Sequence, residues 1–208
     1  MRIRITFSKV GALRYTGHLD LHRLWERAAR RAELPLAYSQ GFHPQPKMNI
    51  AAALPLGFSS RCEMLDMRLE REIPLDGLKE RLQETLPTGI QLASIEQVDE
   101  RAPALQTQVT AAEYEVTLTD PSTTLRTDGS ELKQRIDSVM ETESIIRERR
   151  GKTYDLRPLI ESLEVISEGK IFMRLTAREG ATGRPEEVLD MLGIAFEGTR
   201  IERTRLIF

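Results

Sequence analysis

Arg23, Arg27, Arg30 and Arg31 are separated by the offsets that return side chains to one face of a helix, and a short way on the chain runs YSQGFHPQPK from Tyr38 to Lys47. A guanidinium is planar, always charged, and pairs bidentately with phosphate. In the loop, Gly41 permits close backbone approach, Pro44 and Pro46 stiffen the path, and Tyr38, Phe42 and His43 bring flat rings beside Lys47. Rings beside cations hold single-stranded RNA, with bases stacked on aromatics and phosphates on Lys or Arg. The residues expected to contact nucleic acid are therefore Arg23, Arg27, Arg30, Arg31, Tyr38, Phe42, His43 and Lys47. The alternative is a solvated helix face followed by a turn in which Tyr38 and Phe42 plug the core.

A second basic group, Arg147, Arg149, Arg150, Lys152 and Arg157, surrounds Gly151. With Gly151 at the tip of a β-hairpin these cations would fan outward at one edge, which adds Arg149, Arg150 and Lys152 to the expected anion contacts, although acidic Glu148 and Asp155 stand among them. The three histidines, His18, His22 and His43, all lie in the first quarter of the chain. His18 and His22 have a metal-ligand spacing, but no HExxH pattern and no third ligand accompany them, so no metal site is expected. A different chemistry is metal-independent RNA cleavage, with His18 or His43, aided by Tyr15 and Lys47, activating a 2′-hydroxyl. Against it stands the simpler use of histidines to bond backbone groups at a helix start and in a loop. Phosphate-loop, dinucleotide and serine-hydrolase fingerprints are absent.

Charge supports an anionic partner. The chain has 208 residues and a net charge of -2, yet residues 1 to 50 carry nine Lys or Arg against three acids, leaving 21 basic and 29 acidic side chains for the rest. The first quarter is thus a positive field on an otherwise acidic molecule, which concentrates nucleic acid or phosphorylated ligands. The single cysteine, Cys62, excludes an internal disulfide and a multi-cysteine cluster within this sequence. No apolar run reaches the roughly 18 residues of a membrane span, and Met1 leads straight into RIRITF without a signal core, so a cytoplasmic protein that does not enter a membrane is expected.

The elements that must position these residues follow from periodicity. RIRITFSKV alternates as a half-buried strand, and from His18 to Ala32 the set Leu21, Leu24, Trp25, Ala28 and Ala32 makes one buried helix stripe that Pro35 ends. MNIAAALPLG and RCEMLDMRLE read as strands, with Leu65, Met67 and Leu69 inward; LDGLKERLQETLP reads as a helix and IQLASIEQV as a strand. Asp99 to Thr107, DERAPALQT, reads as a linker. The order then recurs: EYEVTL as strand, a helix after a Ser130 cap with Leu132, Ile136, Val139 and Met140 inward, a longer strand-and-turn region from Ser144 to Val165, then KIFMRLTA, RPEEVLDMLGI and RIERTRLIF as strand, helix and strand. The expected fold class is α+β: two tandem ferredoxin-like (βαββαβ) units, residues 1–103 and 108–208, each an antiparallel sheet with its helices on one face.

The block RYTGHLDLHRLWERAARRAELPLAYSQGFHPQPKMNIAAALPLGFSSRCEMLDMRL, with GKTYDLRPLI later, resembles the bacterial radical SAM-linked protein family, a domain of unknown function. The resemblance is densest at His18, Asp20, Arg23, Tyr38, Ser39, Gly41, Phe42, His43, Pro44, Pro46 and Lys47, and it transfers no catalytic role to any of them. It implies a stand-alone form working beside a radical SAM enzyme, with the iron-sulfur cluster and S-adenosylmethionine belonging to that partner and no cofactor in this chain. More distantly the first half is similar to ferredoxin-like RNA-processing proteins of CRISPR systems, an analogy of element order and basic helix. The expected function is a non-catalytic RNA-binding or substrate-presenting accessory protein in tRNA or rRNA modification. The alternatives are a metal-independent endoribonuclease using His18 or His43 and an adaptor that binds protein only.

Overall fold

The alternation at the N-terminus forms strand β1 (Arg2–Lys9), whose Ile3, Ile5 and Phe7 are all fully buried. In the computed structural model, which describes residues 1–119, 129–149 and 151–208, the chain divides into two units, Met1–Val109 and Thr110–Phe208. After β1 the first unit continues with α1 (His18–Arg31), β2 (Met48–Ile50), β3 (Ser59–Arg68), α2 (Leu78–Gln83), β4 (Ile90–Val98) and a short α3 (Leu105–Gln108). Its strands lie in the order β4-β1-β3-β2 with every pairing antiparallel, and Ile5 faces Leu65 on one side and Ile95 on the other.

The core of this unit is the face of β1 and β3 carrying Ile3, Ile5, Phe7, Leu65 and Met67, closed by Leu21, Trp25, Ala28 and Ala29 of α1 and by Leu78 and Leu82 of α2. Phe7 meets Trp25 edge to face with ring centroids 4.8 Å apart. The small side chains at 28 and 29 let α1 lie close to the sheet, and its opposite face is left to the arginines. Leu24, expected inward, is only half-buried, because it sits at the border of the apolar stripe.

The second unit comprises β5 (Ala111–Leu118), α4 (Gly129–Glu141), β6 (Ile146–Arg149), β7 (Lys152–Asp155), β8 (Ile160–Ser167), β9 (Lys170–Arg178), β10 (Ala181–Thr182), α5 (Pro185–Met191) and β11 (Thr199–Ile207). β9 pairs with β8 and β5, and β5 pairs with β11, again antiparallel throughout. The strand-and-turn region expected from Ser144 to Val165 resolves into the separate β6-β7 hairpin followed by β8. Ser130 lies within α4 rather than capping it, while Leu132 and Ile136 are buried as expected.

Three elements of the first unit differ from their sequence expectation for local reasons. β2 is only three residues long, since the chain bends at Ala51 ahead of Pro55, which has no N–H for a ladder. α2 starts at Leu78 because Gly77 takes a left-handed φ of 67°, which excludes Leu75 from the helix. The segment expected as a linker is instead held down: Leu105 is fully buried, and Arg2 Nη1 and Nη2 donate to the carbonyls of Ala102 and Pro103 at 2.7 and 2.9 Å.

That segment covers Arg2 on the polar side of β1. Arg2 is buried beside Asp66, with Nη2 at 2.5 Å, and Arg4 Nε reaches the other carboxylate oxygen at 2.8 Å. The hydrogen bond to Asp66 raises the Arg4 pKa. Among the described residues no helix is long and apolar enough to cross a membrane. Because a buried guanidinium deprived of its carboxylate is costly, Asp66→Asn is expected to lower unfolding stability by about 3 kcal/mol. Urea denaturation at unchanged slope checks this, and a loss under about 1 kcal/mol would mean that the two carbonyls alone satisfy Arg2.

Candidate nucleic-acid interface

On the outer face of α1, Arg23, Arg27 and Arg31 line a surface depression of about 450 Å³ together with Asp20, Leu24, Thr85, Leu86 and Pro87. The far wall is the connection between α2 and β4. Thr85 ties that wall to α1 by donating its hydroxyl to Ala28 O at 3.1 Å and to Leu82 O at 2.8 Å. Arg31 Nη2 donates to Thr85 O at 2.7 Å, which fixes its guanidinium at one end of the depression. At the other end Arg23 pairs with Asp20 at 3.3 Å, both well exposed, so this contact is weak. Arg27, between them, is exposed and makes no hydrogen bond or ion pair with another described residue.

Gly89 fixes the path of the far wall. It has φ 103°, and a Cβ there would lie 2.6 Å from the carbonyl oxygen of Val10, a distance that backbone cannot accommodate without moving. The depression was legible only on its arginine side. Thr85, Leu86 and Pro87 read from sequence as the end of a leucine stripe, with no local signal that they would face Arg31.

Arg30 has a different place from its neighbours. Its Nε and Nη2 donate to the Tyr38 hydroxyl at 3.1 and 3.0 Å, its Nη2 lies 2.8 Å from Glu26, and the Tyr38 hydroxyl lies 3.4 Å from the same carboxylate. Tyr38 thus anchors the base of the YSQGFHPQPK loop on the last turn of α1, and its ring packs on the core as the alternative reading expected. Above it the loop closes as a narrow hairpin: Tyr38 bridges to Pro46, Ser39 N donates to Gln45 O at 2.8 Å, and Gln45 N donates to Ser39 Oγ at 2.9 Å. Gly41 carries φ 125° at the tip with nothing near a would-be Cβ, so glycine serves the turn there rather than a close approach.

Phe42 is fully exposed and does not plug the core. His43 is exposed beside it and makes no hydrogen bond or ring contact with another described residue. Lys47 is exposed while its backbone is stitched on both sides, its N–H to Ala37 O at 2.8 Å and its carbonyl accepting from Arg68 N at 3.0 Å.

His18 and His22 open α1 with ring centroids 5.7 Å apart. Burial, and then the neighbouring His18, push the His22 pKa down, while Glu26 pulls it back. The loop bearing His43 is anchored at Arg30, about 18 Å along the axis from His18 at 1.5 Å per residue. Tyr15 is exposed, with Arg14 Nη2 on its hydroxyl at 2.6 Å. Among the described residues no group of three His, Cys, Asp or Glu is gathered around a point where a metal ion could sit.

In the second unit Gly151, at φ 73°, lies between β6 and β7, where Arg149 pairs with Lys152 and Arg147 with Tyr154. The cations do not all fan outward. Arg147 and Arg149 share the half-buried face, and that face meets the acidic α5: Arg147 pairs with Asp190 at 2.9 Å, Tyr154 is bonded to Glu187, and burial raises the Glu187 pKa against the opposing charges of Arg149 and Arg147. Arg157 turns inward to the carbonyls of Ile160 and Met140 at 3.0 and 2.8 Å. Lys152 stays exposed, and Arg150 lies outside the described residues.

Fold and site together define a mixed α and β protein of antiparallel sheets that presents a basic helix face beside an aromatic-tipped loop. The chain belongs to the family described as an uncharacterized protein conserved in bacteria (DUF2344), whose model matches residues 2–185. No curated protein matches it. Among solved structures 24 chains are similar; one, from the crystal structure of a Cbf5-Nop10-Gar1 complex, is 10% identical with a TM-score of 0.47, covering 98% of this chain and 48% of that one. This chain therefore spans about half the length of that neighbour.

The lowered His22 pKa fixes a pH dependence. The folded state binds this proton less readily than the unfolded chain does, so His22 contributes stability that is complete above about pH 6.5 and is lost as pH falls through its lowered folded value. His22→Gln is expected to flatten this part of the profile of urea midpoints taken between about pH 7.5 and 5; an unchanged profile would assign the dependence to another group.

Proposed function

We propose that this protein is a non-catalytic RNA-binding, substrate-presenting accessory that works with a radical SAM enzyme in tRNA or rRNA modification. The observation that carries the RNA part is Arg27, an exposed guanidinium without a partner among the described residues, flanked by two arginines beside an apolar wall and followed by a closed loop with a bare aromatic tip. Phosphate is the chemistry a guanidinium row serves, and a fully exposed phenyl ring on a closed loop suits a nucleobase.

The radical SAM partner comes from the family resemblance of the long first-half block. The cluster and S-adenosylmethionine are assigned to that partner, since Cys62 is the one cysteine of this sequence. We read the architecture as a pair of ferredoxin-like units, supported by the strand orders β4-β1-β3-β2 and β11-β5-β9-β8, which correspond position by position. The β6-β7 hairpin is then an insertion in the second unit.

The test is a gel shift and filter retention of total bacterial small RNA by the purified protein at low and high salt, with Arg27→Glu/Arg31→Glu alongside. Binding is expected to weaken steeply with salt, and the double reversal is expected to weaken it by at least about tenfold. No binding at low salt would sink the RNA reading and leave a protein adaptor, to be pursued by pull-down of the enzyme.

A further inference from the structure

We infer that the interface takes RNA as an extended single strand, one phosphate on each of Arg23, Arg27 and Arg31, with a splayed base on Phe42. This rests on the RNA reading above and narrows its substrate class. The three arginines stand in a row inclined to the helix axis, each just over one turn from the next, about 6 Å per step and about 12 Å in all along the axis at 1.5 Å per residue. A row of that pitch follows one backbone. A duplex would instead be gripped across its wide minor groove through both strands and its 2′-hydroxyls.

The wall opposite the arginines points the same way. Leu86 and Pro87 on that wall, together with Leu24 of α1 itself, line the depression with apolar surface. Such a surface suits the face of an unpaired base, which a duplex keeps inside its stack. Phe42 has the same requirement, because only an unstacked base can lie on it.

The loop is built to hold that ring ready. It is anchored at Arg30, one turn past Arg27, so it rises at the C-terminal end of the row, and the Ser39-Gln45 hydrogen bonds close it below the tip. A loop already closed by hydrogen bonds loses less backbone freedom on binding than an open one. Asp20 offsets part of the charge of Arg23, so the strongest phosphate contacts are at Arg27 and Arg31.

The experiment is fluorescence anisotropy with a labelled oligouridine of about twelve nucleotides and with a duplex RNA of the same length, a size within the range of single-strand sites. Both are titrated across salt against the full chain, Arg27→Ala and Phe42→Ala; both substituted residues are exposed, so folding is not at stake. Three phosphates predict a log-log salt slope near about -2 for the single strand, shallower by about 0.7 in Arg27→Ala. Phe42→Ala is expected to weaken binding roughly 5- to 150-fold without changing the slope.

A duplex bound as tightly as the single strand, an unaltered slope in Arg27→Ala, or an unaffected Phe42→Ala would each overturn the single-strand inference while RNA binding itself stands. Failure of both RNAs to bind at low salt would instead remove the RNA reading.

Discussion

The edge-to-face contact of Phe7 with Trp25 sets the rotation of α1, and the rotation of α1 decides where the arginines point. Trp25 is fully buried with its indole N–H unpaired among the described residues, which costs about 1–3 kcal/mol. Burying a large aromatic removes about 150–250 Å² from water, a gain of roughly 4–6 kcal/mol at about 25 cal/mol per Å². The apolar term wins, so the helix keeps this face inward despite the unmet donor. Ala28 and Ala29 allow the close approach, and Arg23, Arg27 and Arg31 are left on the opposite side because no other side remains.

Arginine has three fates in this chain, and the surroundings rather than the residue type choose among them. Arg2 is buried and satisfied by Asp66 and two carbonyls, a structural use of charge that leaves nothing for a ligand. Arg147 and Arg149 face the acids of α5, so much of the positive character of the second basic group is neutralised inside the unit. Arg27 alone of the first-unit row has no counterpart among the described residues. A local excess of positive charge in sequence therefore overstates the free charge of the second basic group, while in the first unit it falls on a helix face where Arg27 stays unpaired among the described residues.

The loop after α1 shows how rigidity and exposure are combined. Tyr38 is held by packing and by Arg30 and Glu26, the middle is closed by Ser39 and Gln45, and only then does the chain release Phe42 to solvent. Without the anchor an exposed phenyl group on a five-residue tip would sample many orientations. Arg30, similar in sequence to its neighbours, serves the loop because it lies on the edge of the row nearest Tyr38, while Arg31 lies on the edge nearest Thr85.

The sequence by itself determined the alternating strand β1, the inward stripe Leu21, Trp25 and Ala28, the arginine face opposite it, and the order β-α-β-β-α-β of the first unit, because each of these depends on a period of two or 3.6 residues that is written locally. Tertiary structure alone decided that residues 85–87 wall the arginine row, that Asp99 to Thr107 covers Arg2 instead of linking freely, that Phe42 is bare while Tyr38 is packed, and that Arg147 and Arg149 meet α5. Apart from the exposure of Phe42, each of these is a contact between different elements of the chain. Periodicity says which side of an element is apolar, but it carries no term for which distant segment arrives to cover that side or to pair its charge.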